Sequence, residues 1–394
     1  MDNAAQRGAY LARAGNCMSC HTPAGGMAYA GGRAIDTPFG TLWSGNLTPD
    51  RETGLGKWTP DDFWRAMHQG RSRDGRALYP AFPYPYFTRI SRQDSDDLFA
   101  YLQTLPPVSK AQRPHELRWP YGSPVALNLW RWLYFREGPA ATEPNRDPRW
   151  LRGAYLVQGL SHCGACHTPR NRWGASQDAL DLGGAMMPDQ KWFAPSLRSG
   201  AQGGLGDWSA QDIVALLRTG VSARGGSSGP MARVVLHGTQ HLDPVDLEAM
   251  AVYLQSLGPG KDTTTAPVAD AGPLHGKGLT APTGKGRRDG VVLYDRHCAA
   301  CHGEAGEGRP GVYPPLAGNR TVQQNPINNL IQIVLNGGYG PATTGNPRPH
   351  GMPPFVLQLD DADLAALLSH IRSAWGHRAA PVTELQVQQA RKTP

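Results

Sequence analysis

The 394-residue chain contains no apolar run approaching the ~20 residues that a membrane-crossing helix requires. Its best stretch, residues 125–135 (VALNLWRWLYF), is too short and carries Arg131. A soluble or peripheral protein is expected. Residues 1–16 lack a positively charged start followed by an apolar segment, so an export signal is expected to have been removed. No basic run is interleaved with aromatics in the manner of a nucleic-acid motif, which excludes nucleic acid as a partner. The net charge of +7 is modest for this length. It reads first as a solvated basic surface, and second as a means of docking on an anionic leaflet or an acidic partner. A dinucleotide fingerprint and a glycine-rich phosphate loop after a strand are both missing, and no spacing among the 32 Asp and Glu residues marks a catalytic pair. A cofactor that oxidises an organic substrate is therefore expected on another polypeptide. Cysteine is scarce as well: there are six.

All six fall in one motif written three times: Cys17-Met18-Ser19-Cys20-His21, Cys163-Gly164-Ala165-Cys166-His167 and Cys298-Ala299-Ala300-Cys301-His302. None is left for a disulfide. Cys-x-x-Cys-His is the attachment signature of c-type haem. On a helical turn residues i and i+3 share a face, so both sulfurs reach the vinyl groups of one porphyrin. The following histidine then supplies a ring nitrogen to the iron. A zinc ribbon needs its two Cys pairs within about 15–20 residues of each other, and these motifs stand far wider apart. A thioredoxin-like pair needs no trailing histidine. The reading is three covalently bound haem c groups on Cys17 and Cys20, Cys163 and Cys166, and Cys298 and Cys301. His21, His167 and His302 are the axial iron ligands, and the task is electron transfer.

Gly 48 and Pro 35 leave a thin apolar complement, with hydrophobic residues at 40%. Small loop-rich modules of this kind need a staple, which a covalent porphyrin provides. Internal repeats set the boundaries. Arg7-Gly8-Ala9-Tyr10-Leu11 recurs as Arg152-Gly153-Ala154-Tyr155-Leu156, and Gly54-Leu55-Gly56-Lys57-Trp58 as Gly204-Leu205-Gly206-Asp207-Trp208. Tyr101-Leu102-Gln103-Thr104-Leu105 recurs as Tyr253-Leu254-Gln255-Ser256-Leu257, on helices expected to open at Asp94 and Asp243 as N-caps. Modules 1 and 2 are duplicates, and the third is a more distant cousin. The expected fold is all-α: three tandem cytochrome c-type haem domains joined by loop-rich linkers. The domains span residues 1–110, 149–258 and 288–380. An aromatic-rich linker covers 111–148, a flexible linker 259–287 and a loose tail 381–394.

A haem that only transfers electrons commonly adds methionine opposite the histidine, which raises its potential. Met231, in Gly229-Pro230-Met231, and Met352, in Gly351-Met352-Pro353-Pro354, sit on Gly/Pro loops just before a terminal helix. They are the expected sixth ligands of haems 2 and 3. Met186, Met187 and Met250 lie away from that position and read as packing residues. Module 1 departs from the pattern. Counted from the helix-ending glycines Gly70 and Gly220, its loop Tyr79-Pro80-Ala81-Phe82-Pro83-Tyr84 offers Phe82 where methionine is expected. Phenylalanine cannot bind iron. Met67 aligns with Leu217 inside a helix and reads as core, His68 aligns with Arg218 and reads as solvent-facing, and Met27 lies on the loop after the motif. Haem 1 has either an open sixth site or one of these three as a substitute.

The chain resembles the trihaem cytochrome c subunits of membrane-associated periplasmic dehydrogenases. These include quinohaemoprotein alcohol dehydrogenase, flavin-dependent gluconate 2-dehydrogenase and sorbitol-type enzymes, and molybdenum-dependent aldehyde dehydrogenases. The resemblance covers roughly residues 5–378. It rests on Arg7-Gly8-x-Tyr10-Leu11, Pro38-Phe39-Gly40-Thr41, Asn46-Leu47-Thr48-Pro49-Asp50, Thr53-Gly54-Leu55-Gly56, Leu78-Tyr79-Pro80-Ala81 and the order of the three haem motifs. It implies a large catalytic dehydrogenase subunit as partner (quinoprotein, flavoprotein or molybdoprotein), with an optional small third subunit. Electrons would pass on to membrane ubiquinone or another acceptor. The implied location is the periplasm, peripheral to the outer face of the inner membrane. The family has methionine where this chain has Phe82. Two rival readings are an autonomous periplasmic carrier and a haem peroxidase or ligand sensor working at an open haem 1.

Overall fold

The computed structural model describes residues 3–138, 145–189, 191–199, 204–259 and 289–392. Module 1 runs through α1 (Asn3–Ala14), α2 (Cys17–His21), α3 (Pro60–Gln69), α4 (Tyr84–Phe87) and α5 (Arg92–Gln103), and the connector after it carries α6 (Pro124–Tyr134). Module 2 repeats the order as α7 (Pro148–Tyr155), α8 (Gly164–His167), α9 (Ala210–Thr219), α10 (Gly229–His237) and α11 (Pro244–Ser256). Module 3 holds α12 (Gly290–His297), α13 (Ala299–His302), α14 (Arg320–Gln323), α15 (Asn328–Asn336) and α16 (Asp361–Ser373), followed by α17 (Glu384–Lys392).

Duplication shows in the helix ends. In α3, Thr59 and Asp62 form a reciprocal capping box, and Gly70 closes the helix in the left-handed region. In α9, Ser209 and Asp212 do the same and Gly220 closes it. The cap of α5 is Ser91, whose hydroxyl accepts from the Asp94 amide, so the expected cap Asp94 lies one turn in with its carboxylate free for another use. Asp243 is the N-cap of α11, as expected, although its side chain makes no capping bond.

In each module the lead helix crosses the terminal helix at a glycine. A Cβ on Gly8 would stand 1.8 Å from the Asp97 carbonyl oxygen, one on Gly153 2.0 Å from that of Ala249, and one on Gly290 2.4 Å from that of Ala366. Only glycine lets the two backbones approach so closely. This contact defines the module and positions the haem motif that follows it.

Modules 1 and 2 bury one shared cluster, running from Leu11, Phe63, Leu98 and Leu102 to Leu156, Leu160, Leu247 and Leu254. Module 3 has its own, centred on Leu330, Ile331, Leu364 and Leu368. The seam between the duplicates is reciprocal. Arg152 pairs with Asp246 at 2.7 Å inside module 2, and Tyr10 of module 1 crosses to donate to the same carboxylate at 2.6 Å. Arg7 pairs with Asp94 and Asp97 inside module 1, and Tyr155 of module 2 crosses to Asp94. The backbone N–H of each cap, Ser91 and Asp243, donates back to the visiting tyrosine hydroxyl at 3.2 Å. This is a pseudo-twofold arrangement within one chain.

The fold is helix-rich and includes short strands, which amends the all-α expectation. An antiparallel hairpin of β1 (Ala34–Thr37) and β2 (Gly40–Trp43) turns at Pro38-Phe39, and β3 (Glu116–Leu117) from the connector joins its edge. Gly40 has φ +124, and a Cβ there would lie 2.2 Å from the Glu116 carbonyl oxygen, so glycine admits the third strand. The other ladders are two residues long: β4 (Ala185–Met186) with β5 (Phe193–Ala194), β6 (Val221–Ser222) with β7 (Gly225–Gly226), and β8 (Gly338–Tyr339) with β9 (Gly351–Met352).

Two linker expectations change. The segment read as a loose tail forms α17, which buries Val387 and Ala390 and ties Arg391 to Asp361 at 2.6 Å. The aromatic linker is ordered where described: β3 and α6 lie within it. The expected flexible linker 259–287 falls outside the described residues apart from Pro259.

Candidate metal centres

Each Cys-x-x-Cys-His motif forms a single helical turn at the end of its lead helix. Asn16, immediately before Cys17, and His162, immediately before Cys163, both have positive φ (50° and 39°), which breaks the lead helix and restarts it as the motif turn. Cys17, Cys20 and His21 are thereby gathered on one turn, as are Cys163, Cys166 and His167, and Cys298, Cys301 and His302. Among the described residues none of the six cysteines is in a disulfide. Before attachment, burial pushes the Cys17 and Cys163 thiols up to about 12 and Cys298 up to about 11.

The histidines share a second feature. Nδ1 of His21 donates to the Gly45 carbonyl at 2.7 Å, that of His167 to Pro195 at 2.7 Å, and that of His302 to Pro314 at 3.0 Å. Fixing the proton on Nδ1 leaves the Nε2 lone pair for a metal and sets the ring orientation. Burial lowers all three imidazole pKa values, against the opposing pull of the carbonyl bond, so the rings are neutral. Two thiols three residues apart plus an oriented neutral imidazole is a donor set that fits haem c. Bound there, haem supplies a reversible one-electron iron couple.

The carbonyl partners were not anticipated from sequence, yet they leave a trace. In each case the accepting residue is followed by one residue and then leucine: Gly45-Asn46-Leu47, Pro195-Ser196-Leu197 and Pro314-Pro315-Leu316.

The expected sixth ligands are placed as follows. Met231 sits in the first turn of α10 rather than on a loop, half-buried against the shared cluster that Cys17 and Cys163 both border. Met352 lies on β9, held by pairing with Gly338 and packed against the cluster that contains Cys298. Phe82 is half-buried against Phe87, ring centroids 5.6 Å apart. Met67 is core, as read. His68 is not solvent-facing: it is 5% exposed, its ring stacks on Trp64 at 3.2 Å, and Nε2 donates to the Ile90 carbonyl at 2.7 Å. Met250 is buried packing, and Met27 is 62% exposed.

Three Cys-x-x-Cys-His turns, each leading out of a helix that crosses a terminal helix at glycine, fit a c-type cytochrome. The cytochrome c family model matches residues 5–106 and 288–375. The chain is 37% identical to the cytochrome c subunit of alcohol dehydrogenase (quinone) from Gluconobacter oxydans, over 98% of this chain and 82% of that protein. It is 38% identical to the gluconate 2-dehydrogenase cytochrome c subunit of Pantoea cypripedii, over 99% and 90%. Against the fructose dehydrogenase cytochrome subunit of Gluconobacter japonicus it is 36% identical, over 98% and 82%. The chain belongs to this family of dehydrogenase cytochrome c subunits, whose business is electron transfer.

Proposed function

We propose that the chain is a trihaem electron relay. It would accept electrons from a large catalytic dehydrogenase subunit and pass them to membrane ubiquinone or another acceptor at the periplasmic face of the inner membrane. The observation that carries this reading is the threefold repetition of one donor set, with Nδ1 of His21, His167 and His302 each tied to a backbone carbonyl. Met231 and Met352 serve as sixth ligands of haems 2 and 3. The seam between the duplicates supports relay between haems 1 and 2, because α10 of module 2 packs on α2 of module 1. Among the described residues no helix is long and apolar enough to cross a membrane.

The docking face we assign is the outer side of α6. Trp130 and Arg131 face inward: the Trp130 indole donates to the Trp173 carbonyl at 2.9 Å, and Arg131 bonds the carbonyls that end α3. Val125, Leu129, Trp132 and Leu133 face outward along one stripe, with Trp132 74% exposed. Exposed aromatics beside arginine are typical interface anchors.

Mass spectrometry of the mature protein should show three haem adducts and no free thiol, and fewer than three would sink the trihaem reading. Replacing Trp132 and Leu129 with serine should weaken association with the large subunit by about tenfold or more while haem content stays unchanged, in keeping with two interface anchors. Retained association would move the docking face elsewhere.

A further inference from the structure

Modules 1 and 2 share one architecture about a pseudo-twofold axis, so a difference between equivalent positions carries meaning. After the left-handed glycines Gly70 and Gly220, module 2 presents Met231 at the start of α10 and module 1 presents Phe82 just before α4. The helices that follow are also equivalent. α10 packs on the haem turn of module 1, and α4 packs on the segment Leu156–Leu160 leading into the haem turn of module 2. Phe82 therefore stands at the position equivalent to Met231, with a ring that has no donor atom.

The structure also removes the substitutes. Met67 is 4% exposed within the shared core and His68 is held by Trp64 and the Ile90 carbonyl, so neither moves without unpacking α3. Met27 is on the surface at 62% exposure. His115 Nδ1 accepts from the Trp43 amide at 3.2 Å, and His162 Nε2 donates to the Gly15 carbonyl at 3.2 Å. His68 Nδ1 is buried with no hydrogen-bond partner, yet the Trp64 stack and the Nε2 bond to Ile90 fix its ring on α3, and the nitrogens named for His115 and His162 are engaged.

We infer that haem 1, unlike haems 2 and 3, has no side-chain sixth ligand, and that its sixth position beside Phe82 is a binding site for a small neutral diatomic such as carbon monoxide or nitric oxide. The apolar ring of Phe82 offers no hydrogen bond to a charged ligand, which favours neutral ones. The inference rests on the trihaem reading.

The test uses the full chain reduced with dithionite and titrated with carbon monoxide, after the haem count has been fixed by mass spectrometry. One carbon monoxide per three haems is expected, together with a high-spin ferric signal from one haem in three. Phe82→Met should abolish both, and Met231→Ala should raise the stoichiometry to two. If Phe82→Met fails to fold, the stoichiometries of the unaltered chain and of Met231→Ala decide the matter. Three low-spin haems that bind no carbon monoxide overturn the inference while leaving the trihaem reading intact. A chain that matures with fewer than three haems overturns the trihaem reading, and the inference falls with it.

Discussion

The duplicated pair and the third module bury their surfaces in different ways. Modules 1 and 2 share a core and exchange two tyrosines across a pseudo-twofold seam, each reaching a buried carboxylate that already holds an arginine of its own module. Module 3 closes its own core around Arg372, whose guanidinium is fully buried and donates to the carbonyls of Val322, Gln324 and Ala380 and to the side chain of Asn325. It meets module 2 through dispersed contacts, with Pro341 against Gly220 and hydrogen bonds from Thr343 to the Thr219 carbonyl and from Gln240 to the Ala342 carbonyl. Asn329 pairs with both backbone groups of Phe193 at 2.8 Å, and Arg320 reaches Asp207 and the Gly204 carbonyl. A duplicated sequence can build an interface twice from one set of residues, since every contact made by residue i on j is returned. A diverged module has no such return contact. The pair should therefore behave as one cooperative unit and module 3 as another.

The largest expected effect comes from the crossing glycines. Alanine at Gly8, Gly153 or Gly290 would drive a methyl group into a backbone carbonyl of the terminal helix. The helices must separate, and the cost should reach ~3 kcal/mol or more, the upper end for overpacking. In calorimetry, Gly8→Ala and Gly153→Ala should lower the same transition, and Gly290→Ala a different one. A single transition lowered equally by all three would show that the modules unfold together and would break the contrast.

Next in size is the tyrosine exchange. Tyr10→Phe and Tyr155→Phe each remove a hydrogen bond to a carboxylate, worth about 1.5–3 kcal/mol per bond. Together they should destabilise the pair and leave module 3 untouched. The seam should also respond to acid. Burial alone would raise Asp246, but hydrogen bonds from Arg152 and Tyr10 outweigh it and hold the carboxyl below its usual value of 3.8. A depressed folded pKa means its contribution is fully present above that usual value and is lost as pH falls through the folded one. Tyr10→Phe should therefore flatten the stability loss below about pH 4. An acid limb that keeps its slope in this variant would place the titrating group elsewhere.

Much of this was legible in the sequence, and what was missed has physical reasons. The haem motifs, the lead and terminal helices and the module order are local patterns. Met67 as core followed from helix alignment with Leu217, and both are buried. The same alignment misread His68: its counterpart Arg218 is exposed, whereas Trp64 and the Ile90 carbonyl cover His68. Ser91 and Asp94 both suit a cap, and only the Arg7 partner shows why the serine takes it. The motif histidines bond to carbonyls, and a backbone oxygen has no residue signature beyond the x-Leu echo. α17 was hidden by its polar composition, because its buried contribution rests on Val387 and Ala390 alone. The pseudo-twofold seam is tertiary, so repeats announce the duplication but not that the copies face each other.

The smallest effect tests the other half of the comparison. Arg320 is half-exposed and its partner Asp207 more so, with side chains 36% and 55% accessible. Water and salt screen such a pair, so Coulomb attraction alone contributes well under ~1 kcal/mol. The bond from Arg320 to the Gly204 carbonyl, at 2.8 Å, adds a modest amount and fixes the side chain's direction. Arg320→Ala should therefore cost about 0.5–1 kcal/mol in the docking of module 3 on module 2. Most of that should survive high salt if the carbonyl bond carries it, and vanish if the ion pair does. Comparing calorimetric scans at low and high ionic strength separates the two. Should Arg320→Ala prove more damaging than the two tyrosine variants together, the third module would be the more tightly coupled one, and the duplicated seam would owe its symmetry to descent rather than to strength.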